Sequence, residues 1–142
     1  MVRILFACVG NSCRSQMAEA FCRALGRDME CESAGSSPAA TVAPNAVFVM
    51  KEVGIDISAA RTKGFRDVFA GGFDYMVSMG CTVTCPFVPG AQEVHWDIPD
   101  PYGKGIGDYR RVRDQIHSEV AALLTRLGLL RAGRSDSHQP LA

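Results

Sequence analysis

The residues best equipped for chemistry form one short stretch, Cys8-Val9-Gly10-Asn11-Ser12-Cys13-Arg14-Ser15, in which five residues separate a cysteine from an arginine. It stands between an apolar run, Val2 to Ala7, and a segment with Met17, Phe21 and Leu25 at helical spacing. A loop passing from a strand into a helix aims backbone N–H groups and the positive end of the helix at one spot, which makes an anion site. Cys8 would lie at its floor and Arg14 would close over it. Helix N-termini and guanidinium groups favour thiolates, and cysteines so placed titrate at roughly 3.5–7.5 rather than ~8.5. The planar fork of Arg14 suits two oxygens of a tetrahedral oxyanion, a geometry lysine lacks. Gly10 and Asn11 suit the positive φ that a tight cradle needs. Ser15 opens the helix and can donate its hydroxyl to the Cys8 sulfur. The expected oxyanion cradle is Val9, Gly10, Asn11, Ser12, Cys13 and Arg14.

A second pair of thiols follows in Gly80-Cys81-Thr82-Val83-Thr84-Cys85-Pro86. On a helix, Cys81 and Cys85 would share a face with Cβ atoms ~5–6 Å apart. A disulfide needs about 3.8 Å, so modest unwinding would join them. The β-branched Thr82, Val83 and Thr84 weaken a helix here, and Pro86 disfavours helical geometry at Cys85. A redox-active pair on a loop is the expectation. Two ordinary thiols, or a zinc site shared with His95, are the other readings, and the fourth zinc ligand would have to be Cys8 or a distant group. No metal is expected. Cys22 and Cys31 read as small core residues, and His95, His117 and His138 as surface residues without partners at useful spacing.

The elements that must position these groups alternate. Strands are expected over Val2–Ala7, Met29–Ala34, Asp74–Met79 and Glu93–Trp96. Helices are expected over Gln16–Leu25 and Pro44–Val53, with a short helical stretch around Arg66–Ala70. A long helix over Gly107–Leu127 carries Tyr109, Val112, Ile116, Val120, Leu123 and Leu127 on one face. This order predicts an α/β single-domain three-layer sandwich, a four-stranded parallel sheet flanked by helices. Ligands of such sheets bind beyond the carboxyl ends of the strands, where Cys8 falls. The domain is expected over residues 1–130, and 131–142 read as a disordered tail.

Composition bounds the function. The chain has 142 residues, 47% of them hydrophobic, enough for one domain with its own core. Lys+Arg and Asp+Glu are equal at 15 each, so no overall field draws in nucleic acid or an anionic membrane. The first apolar run is too short for a signal peptide, and no run approaches the ~20 residues of a membrane span. Six cysteines without a secretory signal imply reduced thiols and a cytoplasmic protein.

Cys8, Arg14 and Ser15 in the pattern C-x5-R-S resemble the low-molecular-weight protein tyrosine phosphatase fold and, within it, the thioredoxin-coupled arsenate reductases. Gly10-Asn11-Ser12-Cys13-Arg14-Ser15-Gln16-Met17-Ala18-Glu19 looks more like the reductases, because the phosphatases usually place proline where Gln16 stands. Glu32-Ser33-Ala34-Gly35, Met50-Lys51-Glu52-Val53-Gly54-Ile55-Asp56-Ile57-Ser58, His95-Trp96, Asp100-Pro101 and Arg111-Val112-Arg113-Asp114 extend the likeness over roughly residues 2 to 127. The resemblance implies Cys8 as nucleophile and Asp100, ahead of Asp97, as general acid. It also supports the redox reading of Cys81 and Cys85. Cys81 would attack the Cys8 adduct, Cys85 would resolve the Cys8–Cys81 disulfide, and external thioredoxin would reduce Cys81–Cys85. No bound cofactor is implied. Arsenate would be the substrate of a monomer, with phosphate or sulfate competing. Tyr102, in Asp-Pro-Tyr-Gly, looks like the phosphatases, and a phosphatase with a redox-regulated loop is the alternative. A non-catalytic oxyanion or arsenite sensor is the third reading.

Overall fold

A computed structural model of the chain describes residues 1–68, 71–80 and 88–132. Four strands, β1 (Val2–Cys8), β2 (Met29–Gly35), β3 (Tyr75–Ser78) and β4 (Gln92–His95), form one parallel sheet in the order β2-β1-β3-β4. The helices are α1 (Arg14–Leu25), α2 (Pro44–Glu52) and α3 (Ile106–Arg126), with a 3-10 turn at Phe65–Asp67. The four-stranded parallel α/β domain expected from the alternation is the one observed. The strand order reverses beside β1, whose neighbours are β2 and β3, so the end of β1 opens at the switch point of the sheet.

Alternation along β1 sets the two cores. Ile4, Phe6 and Cys8 face a large apolar cluster with Met17, Phe21 and Leu25 of α1, Val49 and Met50 of α2, and Ile116, Val120 and Leu124 of α3. Leu5 faces a smaller cluster with Ala34, Val68, Phe73, Met76 and Val88. The parity that buries Ile4 and Phe6 therefore places the Cys8 thiol on the helix side, beneath the start of α1. Among the described residues, no helix is long and apolar enough to cross a membrane.

Two expectations are corrected. Helix α1 begins at Arg14 rather than Gln16, because Met17 N donates to the Cys13 carbonyl at 3.0 Å and closes the first turn within the loop. His117 is not a surface residue. It is buried on the inner face of α3 and stacks on Phe21 with ring centroids 4.7 Å apart. Reading it as a solvated histidine overlooked that it follows Ile116 on the packed side of the helix. His95 is exposed, its Nδ1 3.0 Å from the Ser78 hydroxyl, and His138 lies outside the described residues. At the chain's end, Arg131 N donates to the Leu25 carbonyl at 2.6 Å, and residues 133–142 lie outside the described residues.

Helices α2 and α3 are joined by charge as well as packing. The Arg113 guanidinium, 7% exposed, donates to the Val49 carbonyl at 2.9 Å and to Glu52 Oε1 at 2.7 Å, while Arg110 reaches Glu52 Oε2 at 2.7 Å. Hydrogen bonds from Arg110, with Arg113 behind it, hold the Glu52 carboxyl below its ordinary value near 4.5. A depressed carboxylate stabilises the fold above its unfolded value and loses that contribution as pH falls through the folded one. Glu52→Gln should therefore lower the melting temperature near neutral pH, with the gap to the parent closing as pH drops below about 4.5. A gap independent of pH across the carboxylate range would show that ionic pairing contributes nothing here.

Candidate active site

The loop from Cys8 to Arg14 is shaped by what its carbonyls bind. Ser36 N donates to the Cys8 carbonyl at 3.3 Å, Ser37 N to Val9 at 2.9 Å, Ala39 N to Gly10 at 2.9 Å and Ala43 N to Ser12 at 2.9 Å. In a trans peptide the C=O of one residue and the N–H of the next point in opposite directions. Securing those four carbonyls from outside therefore turns the N–H groups of Val9, Gly10, Asn11 and Cys13 away from the 36–43 segment and into the cradle. This is a concave array of donors with the form of an anion nest.

Asn11 locks it. Its backbone sits at φ 50°, and its N–H donates to the Cys8 sulfur at 3.3 Å. Its side-chain amide donates to the Ser15 hydroxyl at 2.7 Å, and its Oδ1 accepts from Gln16 Nε2 at 3.0 Å and Lys63 N at 2.8 Å. Ser15 Oγ, which accepts from Asn11, lies 2.9 Å from Cys8 Sγ and has its proton free to donate to a thiolate there. Gln16 Nε2 also donates to the Arg61 carbonyl at 2.8 Å, which a proline at this position would forgo. Gly10, expected at positive φ, does not adopt it. Asn11 alone supplies the left-handed turn, since its side chain is fully bonded there.

Glycine is needed next door. A Cβ on Gly35 would stand 2.5 Å from the Val9 carbonyl oxygen and 2.9 Å from Asn11 N. The end of β2 thus presses against the cradle with no room for a side chain. On the other flank, Gly80 at φ 83° would place a Cβ 2.5 Å from Arg14 Nη1.

Arg14 is 94% removed from solvent, and its Nη1 donates to the Ile98 carbonyl at 3.1 Å. Its Nη2 lies 3.6 Å from Asp100 Oδ2, while its buried Nε has no hydrogen-bond partner among the described residues. An unpaired buried guanidinium N–H is costly, and an oxyanion oxygen would satisfy it. Cys8, Val9, Gly10, Ser12, Cys13, Arg14, Ala39, Asp100 and Tyr102 surround a cavity of about 240 Å3. Asp100 is at its mouth, half exposed, with Oδ1 accepting from Tyr102 N at 3.0 Å. Tyr102 itself is exposed at the rim.

The cavity holds two thiols in different settings. Cys8 Sγ accepts from the Asn11 N–H and is hydrogen-bonded to the Ser15 hydroxyl. Cys13 Sγ lies 3.5 Å from the Ser12 hydroxyl and 3.6 Å from the Tyr109 hydroxyl, and burial pushes its titration up despite those bonds. Burial likewise raises the Tyr109 phenol. Sequence reasoning found Cys8, Val9, Gly10, Asn11, Ser12, Cys13, Arg14, Ser15 and Asp100, and the structure brings all of them together. It missed Gly35, the 36–43 segment and Tyr109, which reads from periodicity only as part of the buried face of α3. Cys81 and Cys85 lie outside the described residues. Among the described residues, no group of three or more His, Cys, Asp or Glu could hold a metal ion.

A thiol at the carboxyl end of the first strand, under an amide nest and a buried arginine, defines a cysteine-dependent oxyanion site on a parallel α/β sheet. The chain belongs to the low molecular weight phosphotyrosine protein phosphatase family, which matches residues 3–83 and 81–131. It is 35% identical to a glutaredoxin arsenate reductase of Synechocystis over 89% of this chain and 99% of that protein. A solved thioredoxin-dependent arsenate reductase from Corynebacterium glutamicum superposes with TM-score 0.76 at 30% identity, covering 90% of this chain and 62% of that one. A low molecular weight protein tyrosine phosphatase from T. tengcongensis superposes with TM-score 0.77 at 30% identity, covering 89% and 99%.

Alkylation separates the two cavity thiols. Iodoacetamide at mildly acidic pH should label Cys8 before Cys13, since the raised Cys13 thiol stays protonated, and phosphate should protect Cys8. In Gly35→Ala the added methyl must displace the cradle backbone, so protection by phosphate should weaken at least about tenfold while the fold persists. Labelling of Cys13 first, or full protection in Gly35→Ala, would contradict this account of the cradle.

Proposed function

We propose that the chain is an arsenate reductase of the reducing cytoplasm, acting as a monomer and recycled by thioredoxin. The observation that carries the reading is the Cys8 sulfur, bonded by Asn11 N and Ser15 and set in a cavity beneath an arginine whose Nε–H has no partner among the described residues. Arsenate fits the nest as a tetrahedral dianion, and phosphate and sulfate compete for the same donors. The Cys8 thiolate attacks arsenic, forming an S–As bond, and Asp100 protonates the departing oxygen so that it leaves as water.

The second thiol attacks at sulfur, and arsenic is reduced as two sulfurs are oxidised to a disulfide. The Cys81 thiolate attacks Cys8 Sγ, an S–S bond forms, and the S–As bond breaks with its electron pair going to arsenic. Arsenic passes from the pentavalent to the trivalent state and departs as arsenite. Cys81 follows Gly80, whose backbone packs against Arg14 at the edge of the cavity. Cys85 next attacks Cys81, restores Cys8 and leaves a Cys81–Cys85 disulfide for thioredoxin to reduce. Phosphate cannot follow this route, because phosphoryl-cysteine passes its group only to water. With Tyr102 at the rim beside Asp100, as an aromatic wall for a phosphomonoester, a slow phosphatase activity accompanies the reductase.

The test is NADPH consumption with arsenate, thioredoxin and thioredoxin reductase, run beside hydrolysis of p-nitrophenyl phosphate. Cys8→Ser should abolish both activities. Cys81→Ser and Cys85→Ser should each lose multiple-turnover arsenate reduction and keep the phosphatase activity. After a stoichiometric pulse of arsenate, peptide mapping of Cys85→Ser should show a Cys8–Cys81 disulfide, and of Cys81→Ser little or none. Undiminished reduction in the double variant would replace the internal cascade with an external thiol.

Asp100 is tested by the chemical step. Asp100→Asn should lower single-turnover rates by about 10²–10⁴-fold, the usual weight of a general acid, while phosphate still protects Cys8. Normal turnover with weakened phosphate binding would make Asp100 an anion-site residue instead.

A further inference from the structure

Three sulfur atoms converge at the far end of α1 from Cys8, and the function proposed above uses none of them. Cys22 faces inward from α1, fully buried, and Cys31 faces it from β2, 3% exposed. Met29 shares the face of Cys31 because side chains two apart on a strand point the same way. Cys22 Sγ–H donates to Met29 Sδ at 3.5 Å and Cys31 Sγ–H to the same sulfur at 3.7 Å. The turn that closes this triangle is specific. A Cβ on Gly26 would stand 2.6 Å from Met29 Sδ and 2.8 Å from the Cys22 carbonyl oxygen, so glycine alone lets the thioether fold back over the thiols.

We propose that Cys22, Cys31 and Met29 form a three-coordinate site for a soft monovalent d10 cation of the Cu(I) type. Two thiolates and a thioether are the ligand set that selects such ions. Zinc is disfavoured because its structural sites take four ligands. Sulfurs bound at ~2.3 Å around a trigonal ion stand about 4.0 Å apart, so the two edges that meet at Met29, 3.5 and 3.7 Å long, need to open by half an ångström or less. All three ligands are on regular elements, Cys22 on α1 and Met29 and Cys31 on β2, which limits how far they can stray. Binding replaces the two S–H bonds by sulfur–metal bonds, sends both protons to solvent and changes no oxidation state. The complex carries one net negative charge, and the Arg23 guanidinium stands beside it, 2.8 Å from the Cys31 carbonyl oxygen.

The test uses the full chain with Cys8, Cys13, Cys81 and Cys85 replaced by serine, which leaves Cys22 and Cys31 as its only thiols. Anaerobic titration with Cu(I), supplied as its acetonitrile complex, should show one equivalent bound, a raised melting temperature and three sulfur neighbours by X-ray absorption. Met29→Leu in that background should weaken binding at least tenfold, and Cys22→Ala should abolish it. The unsubstituted chain provides the control for folding of the serine variant, since it should bind one equivalent more than its own Cys22→Ala form. Arsenite, which bonds thiolates but not thioethers, is the counter-probe and should bind more weakly than Cu(I). Absence of uptake, a lowered melting temperature, two sulfur neighbours with no effect of Met29→Leu, or tighter binding of arsenite would each overturn the proposal.

Discussion

The hydrogen bonds from Ser36, Ser37, Ala39 and Ala43 to the carbonyls of Cys8, Val9, Gly10 and Ser12 are the constraint on which the site depends. Backbone polarity is neutral in sum, and a loop becomes an anion receptor only if its acceptors are occupied elsewhere. Here they are occupied by a segment that follows β2, and that segment is held close because Gly35 allows β2 to touch the loop. The sheet register pairs Cys8 with Gly35 directly, so the floor of the cradle and its clamp are adjacent rungs of one ladder. Any shift in that register would release the carbonyls and the nest with them.

Arg14 shows the same logic in a side chain. Its Nη1 bonds the Ile98 carbonyl and its Nη2 faces Asp100, which fixes the guanidinium plane before any anion arrives. The remaining Nε–H is buried without a partner among the described residues, an energetic debt that an oxyanion settles. Preorganisation of this kind favours a charge-bearing ligand over water, because little reorganisation remains when the ligand enters. Asp100 is more exposed than Arg14, which suits the proton-donor role proposed for it.

Much of this was legible in the sequence because it is local. The Cys8-to-Ser15 spacing between a strand and a helix places the thiol, the amides, the arginine and the serine within one turn of backbone. The parallel sheet followed from the alternation of elements, and the core positions of Cys22 and Cys31 from their patterns. What escaped was long-range. Tyr109 reads as one more buried position of an amphipathic helix, and only the packing of α3 against the loop brings its hydroxyl to Cys13. Gly35 reads as the end of a strand, and its role appears only when the loop is folded against it. His117 was misplaced because its polarity outweighed its position on the packed face, where stacking on Phe21 accommodates the ring.

The chain carries six cysteines, and the structure shows why residue type alone does not assign their work. Helix α1 has a thiol site at each end. At its N-terminus the Cys8 sulfur meets an amide and a hydroxyl, hard donors that suit an anion displacing oxygen from an oxyanion. At its C-terminal half the Cys22 sulfur meets, among the described residues, the Met29 sulfur and apolar walls, where a localised negative charge has little support and the proposed soft cation would find three sulfurs. On the roles proposed for them, the same functional group serves as a nucleophile in one case and as a ligand in the other, and the hardness of its neighbours separates the two. The helix imposes the distinction, since its N-terminal turn presents unbonded N–H groups and its interior presents none.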